Sequence, residues 1–343
     1  MSISKSSESK SESKRNSIRR WVDSLFYSML YPVPSHIRAR FLEIDDAAKA
    51  RIERALRRDF YSPGSDAYLA DAEGSRHLAG HVMGRLEQDR SRVIPWLDSA
   101  RSLAGARVLE IGCGTGSSTL ALAEQGAEVV ALDMNRRHIA VAKERCHTLG
   151  LKPHFVVANA VEAAALLPDN HFDFVIFFAA LEHMTFEERE IAMRNTWSML
   201  RPGGLWVVIE TPNRLHYFDD HSARLPFYHW LPDEVAWEYG SRSPRAVFSN
   251  LLQSQPRGPD TPALLQRFGR GISYHDFELA LGPMGELEIV SSLGRYTQGL
   301  RWLRRAQRFT TLKGRHQALL SRVVPQLDPA FLEPWLNFII RKP

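Results

Sequence analysis

The sequence predicts an α/β fold in which a mostly parallel sheet carries helices on both faces. Short apolar runs rich in β-branched residues alternate with stretches of helical periodicity, an order typical of parallel sheets. The first run, residues 108–111, breaks directly into glycines at positions 112, 114 and 116. Glycine lets the backbone turn sharply and approach a ligand closely, so this turn predicts a nucleotide-like cofactor.

The strands that follow are predicted in sequence order. Residues 129–133 end in Asp133, where nucleotide-binding α/β folds place the acid that accepts ribose hydroxyls. A Pro-Gly-Gly turn at residues 200–204 precedes the fifth strand. The third to seventh strands are predicted at residues 154–158, 172–178, 205–209, 286–290 and 335–340.

The spacing of the glycines distinguishes between cofactors. A dinucleotide site would place its third glycine at position 117, which is Ser117, and the motif is instead E-x-G-x-G-x-G. With this motif, and with the strand order over residues 107–213, the chain resembles the class I S-adenosylmethionine (SAM)-dependent methyltransferases. The resemblance implies a Rossmann-like seven-stranded sheet and SAM as the cofactor. It also implies cofactor-binding roles for Glu110, Gly112, Cys113, Gly114, Gly116, Asp133, Met134, Asn159, Ala160 and Ala179.

Composition agrees with a globular enzyme. The chain has 343 residues, of which 44% are hydrophobic, enough for one large core or two modest ones. Its two cysteines, Cys113 and Cys146, form no disulfide framework or metal-binding spacing, which suits a reducing compartment. Residues 1–20 lack the apolar core of a signal peptide, and we expect a cytoplasmic protein with a peripheral contact to membranes.

Basic residues are concentrated in two regions. Residues 1–20 hold six Lys or Arg against two Glu in a Ser-rich stretch that cannot form a core. Residues 294–327 hold eight Lys or Arg and no Asp or Glu. This second region predicts a surface for an anionic partner such as a phosphorylated substrate, a lipid headgroup or nucleic acid, and a solvated helix face is the alternative.

The organisation of the chain follows from these patterns. Residues 17–30 have the periodicity of an amphipathic helix, which either docks on the catalytic domain or lies on an anionic membrane. The predicted segments are a disordered basic tail (1–20), an N-terminal helical extension (21–100), the SAM-binding core (101–213), an inserted substrate lid (214–272), a core helix with strand six (273–293), a basic helical insertion (294–334) and strand seven (335–343).

Candidate catalytic and substrate residues follow the fourth and fifth strands. His183 lies just after strand four, at the sheet edge where ligands bind, and is the predicted general base; a structural loop histidine is the alternative. The lid is predicted to contact the acceptor, although its aromatic residues also suit a small core of their own. The candidate substrate residues are His216, Tyr217, His221 and Tyr228.

The Glu182–His183 pair resembles two metal-assisted branches of the family, the ubiquinone-pathway O-methyltransferases and the small-RNA 3′-end methyltransferases. Both place another Glu three residues before the pair, and here that residue is Ala179. One ligand of the set is therefore missing, and we predict no metal site. Glu210, Asp219 and Asp220 are the oxygen ligands that a folded-in lid would offer.

These observations favour O-methylation of a small-molecule or glycan acceptor, including a lipid-linked one. The lid also looks similar to methyltransferases encoded with bacterial surface-polysaccharide pathways. A nucleic-acid methyltransferase is the first alternative, supported by the basic insertion but opposed by the lack of a base-flipping motif or RNA-binding module. A non-catalytic SAM-binding or membrane-associated protein is the second.

Overall fold

The molecule is built around one seven-stranded sheet. The computed structural model describes residues 33–61, 64–167, 171–255, 257–296 and 310–343. The strand order is β3-β2-β1-β4-β5-β7-β6, with β1 to β5 parallel and β7 antiparallel to both of its neighbours. The predicted mostly parallel α/β fold is confirmed. The strands are β1 Arg107–Ile111, β2 Glu128–Asp133, β3 His154–Val157, β4 Phe172–Phe178, β5 Leu200–Pro212, β6 Glu288–Ser292 and β7 Trp335–Arg341.

Two strands begin two or more residues away from the start that the sequence predicts. Strand β5 starts at Leu200, which pairs with Phe172, and residues 201–204 bulge out before the ladder resumes at Leu205. The Pro-Gly-Gly turn therefore lies inside the strand. Strand β6 starts two residues late because Met284–Glu286 forms a 3₁₀ turn, closed by a bond from the Glu286 N–H to the Pro283 carbonyl.

Short helices precede the sheet in the N-terminal extension. They are α1 Ser35–Arg38, α2 Asp46–Ala55, α3 Asp66–Ala70, α4 Ala72–Ala79, α5 Arg85–Gln88 and α6 Ile94–Ala100. π-Helical turns at Leu56–Phe60, Gly80–Gly84 and Asp89–Val93 extend or join several of them. The predicted basic tail at residues 1–20 and the predicted amphipathic helix at residues 17–30 lie outside the described residues.

Helices cover both faces of the sheet. The core helices are α7 Ser117–Ala123, α8 Arg136–Thr148, α9 Ala163–Leu166, α10 Phe186–Ser198, α14 Tyr274–Leu281 and α15 Leu293–Tyr296. On one face, Trp96 and Ile139 belong to a core shared by the N-terminal helices, α7 and α8. On the other, Trp206 and Phe277 belong to a second core beneath α10 and α14. The carboxyl ends of the parallel strands are left open between these layers.

The segment predicted as a lid has a small core of its own. It contains a 3₁₀ turn at Tyr228–Trp230 and the helices α11 Asp233–Gly240, α12 Ala246–Ser254 and α13 Thr261–Arg267. Tyr228, Trp237 and Phe248 are buried together in this core. Because the segment packs on itself, it can present side chains to the sheet edge as one unit.

The basic insertion contains helix α16, Leu312–Val323, whose Thr311 hydroxyl accepts a bond from the Gly314 N–H and so caps the first turn. Residues 297–309, with Arg301, Arg304, Arg305 and Arg308, lie outside the described part of the chain. Within that part, every helix is too short or too polar to cross a bilayer.

Candidate active site

A cavity of about 780 Å³ lies at the carboxyl ends of β1, β2, β4 and β5, between the N-terminal helices and the lid. This is the edge where ligands bind in open α/β sheets. Its volume falls within the range of roughly 300–1,000 Å³ that is usual for ligand pockets. The cavity brings together the predicted residues Gly112, Cys113, Gly114, Asp133, Met134, Asn159, Ala160, Ala179, His183 and His221.

The glycine-rich turn forms one wall of the cavity. Gly112 and Gly114 have φ angles of 77° and 52°, a conformation that glycine adopts without strain. A Cβ on Gly112 would lie 2.7 Å from the Ala180 Cβ, whereas a Cβ on Gly114 would meet no protein atom within 4 Å. Gly112 is therefore required by packing, and Gly114 leaves its space to a ligand in the cavity.

Asp133 is held at the end of β2 by two backbone N–H groups. Its Oδ2 accepts a bond from Gly114 at 2.9 Å, and its Oδ1 accepts one from Asn135 at 2.8 Å. Each carboxylate oxygen has a second lone-pair site, so both can still accept a ligand hydroxyl. The carboxylate is thus fixed in place beside the glycine-rich turn before any ligand binds.

Two residues of the predicted cofactor set do not line the cavity. Glu110 is fully buried beneath the turn, where it accepts bonds from the Ser118 and Thr119 hydroxyls, and burial raises its pKa to about 7. A Cβ on Gly116 would lie 2.7 Å from the Ala142 Cβ. Both residues support the turn from below instead of lining the cavity, and their direct contact with the cofactor stays a prediction.

Three predicted substrate residues also lie elsewhere. Tyr228 is completely buried in the lid core, and its hydroxyl donates to the Ala236 carbonyl at 2.8 Å. The rings of His216 and Tyr217 face His316 of α16, at centroid distances of 5.5 and 5.3 Å. Of the lid residues predicted to contact the acceptor, only His221 lines the cavity.

His183 also lines the cavity, from the turn Leu181–His183 that follows β4. Its side chain is 46% exposed. Its Nδ1 lies 3.0 Å from the Arg267 carbonyl oxygen. A carbonyl only accepts hydrogen bonds, so this contact assigns the ring proton to Nδ1 and leaves the Nε2 lone pair available as a base.

Glu182 and His221 complete a group around His183. Glu182 is fully buried, which raises the pKa of its carboxyl to about 7, and its Oε1 lies 4.0 Å from His183 Nε2. That oxygen accepts no hydrogen bond from any residue that the structure describes. Burial, and then the charge of His183, lower the pKa of His221 to about 4. Potential ligand atoms of the three side chains lie within 4.8 Å of one another.

The N-terminal extension adds polar side chains that the sequence did not indicate. Arg85, Gln88 and Asp89 line the cavity from one side of their helix. Asp89 is buried, and the loss of water raises its pKa well above the usual range. Gln88 donates to Glu210 Oε1 at 2.6 Å. The spacing of positions 85, 88 and 89 places three polar residues on one helix face, and this pattern in the sequence could have indicated them as cavity residues.

Two non-glycine residues adopt left-handed backbone conformations at this edge. Ala179, directly after β4, has φ 46°, and Glu210, in an irregular part of β5, has φ 54°. Such conformations cost about 1–3 kcal/mol each and cluster at functional sites. Both residues line the cavity, so the strained backbone at the end of β4 and within β5 lies at the wall of the cavity.

Comparison with known proteins adds to this geometry. Residues 108–204 match the family model of a methyltransferase domain. Over 121 residues the chain is 34% identical to the ubiquinone biosynthesis O-methyltransferase of Pseudomonas entomophila (strain L48) and 35% identical to that of Dechloromonas aromatica (strain RCB). Each match covers 35% of this chain and 50% of the relative, so the chain spans about half the length of these curated relatives.

A similar solved structure is magnesium protoporphyrin IX methyltransferase from Synechocystis PCC 6803 with bound SAM. It is 22% identical, with a TM-score of 0.36, over 48% of this chain and 77% of that one. The family match spans the glycine-rich turn, Asp133 and His183, which meet in one cavity. Residues 108–204 of the chain therefore form a methyltransferase domain.

Proposed function

We propose that this protein transfers the methyl group of SAM to a hydroxyl group of a small-molecule acceptor. One observation carries the proposal: a single cavity is lined by the glycine-rich turn and Asp133, here called its cofactor end, and by His183 and His221, its acceptor end. The space beside Gly114 and the two available acceptor sites on Asp133 fit a nucleoside with free ribose hydroxyls. The part of the cavity beside His183 offers a base to a second substrate.

The residues of the chain have separate roles in this reaction. SAM supplies an electrophilic methyl group on a sulfonium, so the protein mainly positions the acceptor and removes its proton. Asp133 and the turn hold the cofactor. His183 Nε2 takes the proton of the acceptor hydroxyl while the hydroxyl oxygen bonds to the methyl carbon and the carbon–sulfur bond breaks. The Arg267 carbonyl keeps His183 in the required tautomer.

The acceptor class is proposed from the lid and the relatives. His221 and Trp335 line the cavity with their rings 5.8 Å apart, which provides an aromatic wall for an aryl or sugar ring. The relatives' names refer to O-methylation in ubiquinone biosynthesis, and we extend only the O-methylation of a small molecule to this chain. Glycan acceptors, including lipid-linked ones, remain within this class.

The test uses the full chain with methyl-labelled SAM and extract fractions separated into small molecules, glycolipids, nucleic acid and protein. We expect label in a small-molecule or glycolipid product whose methyl group is on oxygen, as shown by mass spectrometry. Asp133→Ala serves as the control that binds cofactor poorly. Label found only in nucleic acid would favour the nucleic-acid alternative, and SAM binding without transfer to any fraction would favour a non-catalytic protein.

A second candidate is metal-assisted transfer at the same site. The observation that favours it is the group of Glu182, His183 and His221, in which one buried Glu182 oxygen has no partner among the described residues. One carboxylate with two imidazoles suits Mn²⁺, Fe²⁺, Co²⁺ or Zn²⁺. A cation held there would polarise the acceptor oxygen and make its hydroxyl more acidic. His221 then supplies the third ligand in place of the Glu that is absent at Ala179, although it lies at a different position in the site.

Chelation separates the two candidates. Protein treated with EDTA and passed over a desalting column should keep its rate if His183 acts as a base alone. If a cation is required, the rate should fall and return on adding Mn²⁺ or Zn²⁺. Glu182→Gln should abolish this metal response while SAM affinity stays unchanged. Glu188→Gln, at another cavity carboxylate, is the matched control and should keep the response.

A further inference from the structure

Helix α16 presents an apolar stripe to the surface. Leu312, Leu319 and Val323 are 70%, 58% and 67% exposed, and their spacing of seven and four residues places them along one side of the helix. An adjacent side is anchored, since Leu320 and Val324, the residue after the helix, pack against the core beneath α10 and α14. The helix is therefore held in place while its outer side chains lie open to water within the described structure.

The same outer side is basic. Arg315 and Arg322 are exposed between and beside the three apolar residues. Lys313 also lies on this helix and pairs with Glu333 at 3.3 Å. Residues 294–327 contain no Asp or Glu, so the helix itself contributes only positive charge beside the stripe, and the acid that pairs with Lys313 comes from outside this region. Apolar side chains surrounded by Arg are the composition of helices that lie in the interface of anionic membranes.

Two exposed aromatic residues of the lid extend the stripe. Phe227 and Trp230 are each 49% exposed, and their rings lie 4.9 Å apart. The Trp230 ring lies 6.3 Å from the ring of His316, which belongs to α16. Aromatic side chains of this kind favour the boundary between lipid headgroups and acyl chains. The aromatic pair therefore lies beside helix α16.

We propose that this surface docks on an anionic lipid bilayer. It consists of Leu312, Leu319, Val323, Phe227 and Trp230, with Arg315 and Arg322 among them. A nucleic acid would use the positive charge but would leave the apolar side chains in water, whereas a bilayer satisfies both. The inference goes beyond methyl transfer, because it concerns where the enzyme works and stands whether or not the acceptor is a lipid.

Vesicle sedimentation with the full chain tests this docking. Vesicles of phosphatidylcholine with phosphatidylglycerol should pellet the protein at low salt, and high salt or pure phosphatidylcholine should reduce pelleting. Leu312→Ser/Leu319→Ser should weaken binding at least about tenfold, because two leucines no longer enter the apolar region. Arg315→Glu/Arg322→Glu should weaken it by at least about tenfold as well.

Matched controls use exposed residues away from this surface. Val247→Ser/Leu279→Ser removes two side chains that are 74% and 56% exposed, and Arg38→Glu/Arg54→Glu makes the same change in net charge. Both should bind vesicles as the parent does, and melting curves should show that every variant folds. Equal binding by the surface and control variants would overturn the proposal. So would absence of binding to anionic vesicles, or a dimer that Leu312→Ser/Leu319→Ser dissociates.

Discussion

The two ends of the cavity are built in different ways. At the cofactor end, Gly112, Gly114 and Asp133 come from one short stretch of chain, and backbone hydrogen bonds hold the carboxylate. At the acceptor end, Glu182 and His183 follow β4, while His221 is contributed by the lid. The first end depends on local sequence and the second on how distant segments pack. We infer that changes in the lid alter acceptor choice while the cofactor end stays the same.

The largest effect is expected at the acceptor end. His183→Ala should lower kcat by roughly 10²–10⁴-fold, because the acceptor hydroxyl loses its general base, while SAM affinity stays nearly unchanged. The rate of the parent enzyme should fall in acid, because a protonated base cannot accept the hydroxyl proton. The rate of the variant should not show this fall. Single-turnover rates across pH, with calorimetric SAM titration, provide the measurement. A variant that keeps most of its kcat would remove His183 from the mechanism.

A smaller effect is expected at the cofactor end. Asp133→Ala should weaken SAM binding by about 1.5–3 kcal/mol, since the ribose hydroxyls and two backbone N–H groups lose their acceptor. Titration calorimetry measures the change, and Glu234→Ala, at an exposed lid carboxylate, is the control. If Asp133→Ala binds SAM as the parent does, the ribose contact is not made by this residue. Together with His183→Ala, the variant shows whether the two ends act separately.

Within the turn, Gly114 and Gly116 should respond differently. Gly116→Ala places a Cβ against Ala142 and should lower the free energy of unfolding by about 1–3 kcal/mol, the usual cost of overpacking. Gly114→Ala meets no protein atom within 4 Å, so it should lose only the stability that a φ of 52° costs an alanine and should mainly reduce SAM affinity. Thermal melts without ligand and SAM titrations distinguish the two. Equal loss of stability in both variants would contradict the separate roles of packing and ligand contact.

The smallest effect concerns acid stability at the N-terminal side of the cavity. Burial lowers the pKa of His81 to about 3, whereas an unfolded histidine titrates near 6.5. The unfolded state therefore binds the proton first, and stability present above pH 6.5 is lost as the pH falls toward 3. His81→Phe should reduce the difference in melting temperature between pH 8 and pH 5. Parallel curves for variant and parent would show that His81 is already protonated in the fold.

The same division explains what the sequence could predict. The sheet and the glycine-rich turn follow from local patterns, because a β-branched run, alternating glycines and a terminal Asp133 constrain the backbone directly. The approach of His221 to Glu182 depends on how the lid packs, and no spacing encodes it. Tyr228 is predicted to contact substrate but lies in the lid core. In the sequence an aromatic lid residue suits a ligand or a core equally well, and only the structure shows that the Tyr228 hydroxyl donates to the Ala236 carbonyl.

Arg145 connects the glycine-rich turn to the N-terminal extension and so limits how the cavity opens. Its fully buried guanidinium donates to the carbonyls of Thr115, Val82 and His81 at 2.6–2.9 Å. Swinging the extension away would break the two charged bonds to Val82 and His81, each worth about 1.5–3 kcal/mol. We infer that SAM and its demethylated product exchange past the lid, through the space proposed for the acceptor. Such a shared passage would impose an order on turnover, in which the cofactor enters before the acceptor and its demethylated form leaves last.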